Sequence, residues 1–176
     1  MRETDGMKRG ILSAAKLILI RNGLAEWTIE DVAREARCAK GLVNYHYKSK
    51  ARLLCLVGSS LRDDRLKRRL KALSGEGAAA LDSLWNVLMA EVRTGELAAW
   101  LALGALADST IKEGLRSSPE HIAQLESAAS RAFGISESDL GSLMDSVLTG
   151  FQIALLYQHD ESSVREAYHR FWLGLL

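Results

Sequence analysis

The sequence predicts an all-α protein. Proline is nearly absent, with Pro119 the only one in 176 residues. Apolar residues recur at three- and four-residue spacing, the period of a helix with one buried face. No segment combines strand alternation with hairpin turn chemistry. Hydrophobic residues make up 48% of the chain, enough to fill a core at this length.

In "GMKRGILSAAKLILIRNG", Ile11, Ala14, Ala15, Ile18 and Leu19 share a helical face, and Asn22-Gly23 is a stop signal. Thr28 opens a second, two-turn helix, with Asp31 three residues on in the place of a capping-box acid. Ile29, Val32, Ala33 and Ala36 face inward there. A short turn at "RCA" leads to "KGLVNYHY", a third helix with Leu42 and Val43 inward. Ser49 caps a long fourth helix ending near "SGEG". Further helices are expected over "EGAAALDSLWNVLMAEVRTG", over "ELAAWLALGALADSTIKEGLRS" with a break near Gly104, and over "SPEHIAQLESAASRAFG" with Pro119 at its first position. The last two cover "SESDLGSLMDSVLTGFQIALLYQHD" and "ESSVREAYHRFWLGLL".

The net charge of +1 hides an asymmetry. Residues 1–72 hold 17 Lys and Arg against 8 Asp and Glu, and the remainder holds 6 against 14. A basic N-terminal third points to a polyanionic partner for that part. No apolar run is read as long enough to span a bilayer, and the N-terminus lacks a signal peptide's apolar centre, so the expectation is a cytoplasmic protein with no membrane partner. Cys38 and Cys55 imply neither a disulfide framework nor a zinc motif, and no cofactor is expected. His46, His121, His159 and His169 are dispersed without metal spacing. Nucleophile elbows, phosphate loops and dinucleotide fingerprints are missing, so an enzyme is not expected.

Two short helices joined by a tight turn form a helix-turn-helix, whose second helix can enter the DNA major groove. Lys40, Gly41, Asn44, Tyr45 and His46 lie on its outer side, and "YHYKSK" supplies groups that suit phosphates. Asn44 is a chemical candidate for adenine. Lys8 and Arg9 lie where an arm reaches DNA. "RDDRLKRRLK" on the fourth helix is expected to be a solvated face.

Over "ILSAAKLILIRNG" and "TIEDVAREARCAKGLVNYHYKSKARLL" the sequence resembles the TetR family of bacterial transcriptional regulators. The resemblance implies an N-terminal three-helix DNA-binding domain, residues 1–54, and a C-terminal helical ligand-binding and dimerisation domain, residues 55–176. It implies a homodimer that binds a palindromic double-stranded operator and releases it when a small-molecule inducer binds. Carried over residue by residue, Thr28 and Lys50 become phosphate contacts at helix starts, Lys40 and Gly41 approach bases, and Tyr45 and His46 meet the backbone. Three positions depart from the family pattern. Arg37 replaces a turn glycine and offers a cation, Ala39 replaces a serine cap at the DNA-facing helix start, and Tyr47 replaces phenylalanine.

The last two helices are apolar on more than one side, which calls for burial against a second layer. The family assigns that layer to the partner subunit. The expected dimer residues are Leu140, Met144, Val147, Leu148, Phe151, Leu155, Tyr168, Phe171 and Trp172, with Leu143, Ala154, Val164 and Leu175 in the same rows. Trp85, Met89, Trp100 and Leu103 lie on helices that enclose a cavity in the family, and are read as pocket or as ordinary core. Glu91, Arg93 and Glu96 select a charged ligand group or are solvated.

Overall fold

The computed structural model describes the backbone of residues 2–135, 139–157 and 160–175, and the side chains of those residues except 2–4 and 175. His159, the Leu175 side chain and the expected helix start at Ser136 fall outside the described residues. The described chain is helical throughout: α1 Arg2–Asn22, α2 Ile29–Glu35, α3 Lys40–Tyr47, α4 Lys50–Ala72, α5 Gly77–Arg93, α6 Glu96–Gly104, α7 Ser109–Leu115, α8 Pro119–Phe133, α9 Leu140–Tyr157 and α10 Glu161–Leu175.

The predicted stops and starts operate as chemistry. Gly23 has φ 78° and its N–H donates to the Leu19 carbonyl at 3.0 Å, closing α1. Ser118 caps α8, with His121 returning the second bond of the box. The break foreseen near Gly104 is made by Asp108, whose carboxylate accepts from the N–H groups of Thr110 and Ile111.

Contacts divide the chain into two compact units. One comprises Met1–Asp63 and Gly95–Arg116, the other Asp64–Thr94 and Ser117–Leu176. This differs from an expected division at residue 54, because α6 and α7 share a core with α1 and α4. Ala99, Leu103 and Ile111 join Ile11, Ile18, Leu19, Leu53 and Leu61 in one apolar cluster. A Cβ on Gly114 would lie 2.0 Å from the Cys55 carbonyl oxygen, so the α7 and α4 backbones meet at a distance only glycine allows. Arg62 completes the joint by donating to the carbonyls of Gly114 and Arg116 at the end of α7.

The second unit packs α8 on α9, α5 on α8 and α9, and α10 on both α5 and α9. Its core contains Leu81, Leu84, Leu88, Leu125, Met144, Leu148, Tyr168 and Trp172. Tyr168 donates its hydroxyl to the Leu81 carbonyl at 2.9 Å. Helix α9 is, at 18 residues and mean hydropathy 1.3, long and apolar enough by composition to cross a membrane, which corrects the sequence reading. In this unit it buries Leu140, Gly141, Met144, Leu148, Gln152 and Leu155 on one side.

A polar network lies within this core. Arg65, Arg69, Glu91 and Gln152 are all buried. Arg65 Nε donates to Glu91 at 3.1 Å, Arg68 donates to the other oxygen of the same carboxylate at 3.1 Å, and Arg65 Nη2 donates to Gln152 Oε1 at 2.7 Å. Gln152 Nε2 donates back to Glu91, and Arg69 pairs with Asp145. The basic stretch of α4 is therefore a solvated face only in part: Lys67 and Lys71 are exposed, whereas Arg65 and Arg69 are buried. Arg65 and Arg69 point inward because α5 and α9 supply acceptors for them, and Glu91 is committed inside the protein. Arg93 is exposed and pairs with Glu161 at 3.0 Å.

Desolvation pushes the Glu91 carboxyl up, and Arg65, Arg69 and Arg68 with Gln152 outweigh it and hold it below its ordinary value of 4.5. The native carboxyl thus binds protons less readily than the unfolded one. Its stabilisation is complete above that ordinary value and is lost as the pH falls through the lower native value. Glu91→Ala leaves buried guanidinium groups without their anion and is expected to cost about 3–5 kcal/mol, read from the shift in urea midpoint. A loss below 1 kcal/mol would show that the network contributes little.

Candidate nucleic-acid interface

The first unit builds its exposed face from three helix starts. At α2, Thr28 is an extended N-cap whose hydroxyl accepts from the Asp31 N–H at 3.1 Å and donates to the Asp31 carboxylate at 2.5 Å. Trp27, just before it, is buried and donates its indole N–H to the Ala15 carbonyl at 2.9 Å. That bond fixes the α2 start on α1. The Lys50 ammonium donates to the Trp27 carbonyl at 3.1 Å and lies 5.2 Å from the centre of its ring. The first residue of α4 therefore places a cation beside the capped start of α2. Ser49 caps α4 itself, its hydroxyl accepting from the Arg52 N–H. A helix N-terminus, a hydroxyl and an ammonium converging on one exposed site suit a phosphate.

Helix α3 is held from behind. Val43 and Tyr47 are buried, and the Tyr47 hydroxyl donates to the Lys8 carbonyl on α1 at 2.6 Å. Phenylalanine at this position would lack that bond. The opposite side is open: Lys40, Gly41, Asn44 and Tyr45 are exposed, and His46 is partly so. A Cβ on Gly41 would meet nothing within 4 Å, leaving room for close approach. The Tyr45 ring, 66% exposed, stands edge-on to His46, with the Lys48 ammonium 5.0 Å from its centre. The DNA-contact residues expected from the sequence all belong to one unit, and Lys40 and Lys50 both reach the start of α2 beside Thr28.

The departures have visible consequences. Arg37 adopts φ 53°, the left-handed region that the replaced glycine would occupy without strain, and its side chain is exposed. Ala39 is the α3 N-cap and makes no side-chain bond. Lys40 instead pairs with Glu30 of α2. Sequence reasoning missed Trp27 and Glu30. The capping pattern draws attention to Thr28 and Asp31, while nothing in the spacing distinguishes Glu30.

The expected pocket residues are divided between the two units. Trp85 and Met89 belong to the core of the second unit, whereas Leu103 is buried in the core of the first and Trp100 packs against it. A groove of about 760 Å³ follows α10, lined by Ser162, Arg165, Glu166, His169, Arg170, Leu173 and Gly174, and none of the four reaches it.

The expected dimer residues separate in the same way. Leu140, Met144, Leu148, Leu155, Tyr168 and Trp172 are buried within their own unit, so they do not form an outward face. Val147, Phe151 and Phe171 are partly buried against that core. The outward apolar side of α9 carries Leu143, Ile153 and Tyr157, which are exposed, with exposed Gly150 and half-buried Val147 and Ala154 beside them.

Residues 11–55 match the family described as bacterial regulatory proteins, tetR family. Over that segment, which contains α2 and α3, the chain is similar to the N-terminal part of that family. Solved structures extend the likeness of fold beyond that domain. A multidrug binding protein, EbrR, crystallised with imidazole, is 21% identical, with a TM-score of 0.66 and 93% of each chain covered. A transcriptional regulator, SCO7518 of Streptomyces coelicolor A3(2), is 17% identical with a TM-score of 0.70, covering 93% of this chain and 96% of its own. NalD, the secondary repressor of a multidrug efflux pump in Pseudomonas aeruginosa, is 15% identical with a TM-score of 0.52, covering 98% and 96%. No curated protein matches the chain.

Two substitutions test this surface without DNA. Arg37→Gly relieves left-handed strain and is partly offset by the freedom glycine gains in the unfolded chain, for a net stabilisation of about 0.5–1 kcal/mol in thermal denaturation. Tyr47→Phe removes the bond to Lys8 and is expected to cost about 1 kcal/mol. An unchanged midpoint for Tyr47→Phe would show that the hydroxyl does not anchor α3.

Proposed function

We propose that the protein is a ligand-responsive transcriptional repressor acting in the cytoplasm, which binds a palindromic double-stranded operator as a homodimer and releases it on binding a small molecule. The observation that carries the reading is the surface where the starts of α2, α3 and α4 present Thr28, Lys40 and Lys50 together, with the outer side of α3 unobstructed. Lys40 and Gly41 approach base edges, Asn44 pairs with adenine, and Thr28, Arg37, Tyr45, His46 and Lys50 hold the backbone. Ala39 opens the helix between them. A groove-bound helix read by one subunit needs a second copy to read the other half of a palindrome.

The second copy is proposed to dock on the outward side of α9. Leu143, Val147, Gly150, Ala154 and Tyr157 recur at alternating four- and three-residue spacing, the seam of a helix packed against a helix. Leu143→Glu is expected to give folded monomers by light scattering, whereas Leu148→Glu places a charge in the unit's own core and unfolds it. A parent protein that is monomeric at micromolar concentration would overturn the dimer.

EbrR is a multidrug binding protein, crystallised with imidazole and with proflavin. The proposal brings a small-molecule effector to the second unit of this chain, beside Trp85 and Met89 on α5. An effector lowers operator affinity only by binding the DNA-incompetent state more tightly, with a coupling of about 1–3 kcal/mol. Helix α4 supplies residues to both units and is the covalent path for that coupling. Binding to DNA is tested by anisotropy against operator selected from a fragment library. Lys50→Ala should weaken binding to all sequences and flatten the salt slope by about one. Retention of parental affinity and slope would place the docking face elsewhere.

A further inference from the structure

We infer that Glu30 determines specificity: it holds the Lys40 ammonium on the protein at non-cognate DNA and gives it up where the sequence offers a base-edge acceptor. The inference rests on the DNA-binding reading above and adds a residue that opposes binding to one that promotes it.

Lys40 is the first residue of α3. A cation there faces the positive end of the helix dipole. The first turn of α3 contains no acid, and Ala39 supplies no capping oxygen. The anion comes instead from α2, where Glu30 pairs with Lys40. Both side chains are 55% exposed, so the pair lies on the surface that approaches DNA rather than in a core. Glu30 is two residues past Thr28 in the first turn of α2. The other acid of that turn, Asp31, is committed to Thr28 and to Arg34. The hydrogen bond from Lys40, followed by a backbone bond, holds the Glu30 carboxyl below its ordinary value, so it is anionic whenever DNA is bound near neutral pH.

Binding to a phosphate would exchange one anion for another at Lys40. It would also leave the Glu30 carboxylate facing a polyanion with no cation beside it. Nothing is gained by that exchange at random sequence. A guanine edge offers two acceptors, and hydrogen bonds to them offset the lost ion pair. Glu30 thereby withholds one phosphate contact from every non-cognate site.

The test uses the full chain, a random duplex and an operator duplex selected by the parent, with affinity measured across salt concentrations. Glu30→Gln should bind the random duplex about two- to five-fold more tightly, the range of an exposed ion pair. Its salt slope there should steepen by about 0.9, one added phosphate contact. Operator affinity should rise less, so discrimination falls. In a Lys40→Ala background, Glu30→Gln relieves only the carboxylate's own repulsion by DNA, so the tightening should be smaller and the slope should not steepen by a full phosphate contact. Equal tightening with and without Lys40 would mean general repulsion between Glu30 and DNA and would overturn the inference, as would no tightening at all. A parent that binds neither duplex sinks the DNA-binding reading together with this inference; binding without a Lys40-dependent effect of Glu30 sinks the inference alone.

Discussion

One continuous helix has to satisfy two cores. Up to Leu61, α4 is an ordinary amphipathic helix, with Leu53, Leu54, Val57 and Leu61 buried in the first unit. Beyond Asp63 it buries arginines instead. A guanidinium inside a protein is tolerated only with anions and acceptors arranged around it. Glu91 on α5 and Gln152 on α9 are therefore committed by what α4 carries. Gln152 interrupts an otherwise apolar side of α9 because Arg65 and Arg69 need its oxygen. The placement of three helices of the second unit follows from this requirement.

Local rules were legible in the sequence because they involve neighbours in the chain. The Gly23 stop, the Thr28 and Ser118 caps, the extent of α3 and the break before α7 each depend on residues within about four positions. The candidate surface was legible for the same reason, since the starts of α2, α3 and α4 lie within 25 residues of one another. What escaped depends on partners far along the chain. Arg65 is 26 positions from Glu91 and 87 from Gln152, and nothing near Arg65 in sequence distinguishes it from the exposed Lys67. The placing of α7 on α4 depends on Gly114 meeting the Cys55 carbonyl, another distant contact.

The two apolar rows of α9 show the limit of periodicity. The pattern correctly gives two sides, but it has no sign. The row with Met144, Leu148 and Leu155 faces inward, whereas the row Leu140, Leu143, Val147 and Ala154 divides: Leu140 is buried, Val147 and Ala154 pack partly against the core, and Leu143 is exposed. A Cβ on Gly141 would lie 2.5 Å from the Ile122 carbonyl oxygen, so this glycine is where α9 closes on α8 and orients the remaining residues. Periodicity likewise does not tell which core a residue joins: Trp85 and Trp100 are both tryptophans on apolar helices, yet they pack in different units.

Helix α3 begins after one non-glycine residue at positive φ, Arg37, and ends at another, Lys48 with φ 64°. Both side chains are cationic and exposed. The free protein bears the backbone strain at both ends of this helix and recovers nothing for it in its own core. A polyanion that engages both cations binds only the folded arrangement, and so raises the free energy of unfolding by mass action. On the DNA-binding proposal, occupancy would then also set lifetime, because molecules without nucleic acid would visit more often the open state from which proteases remove them.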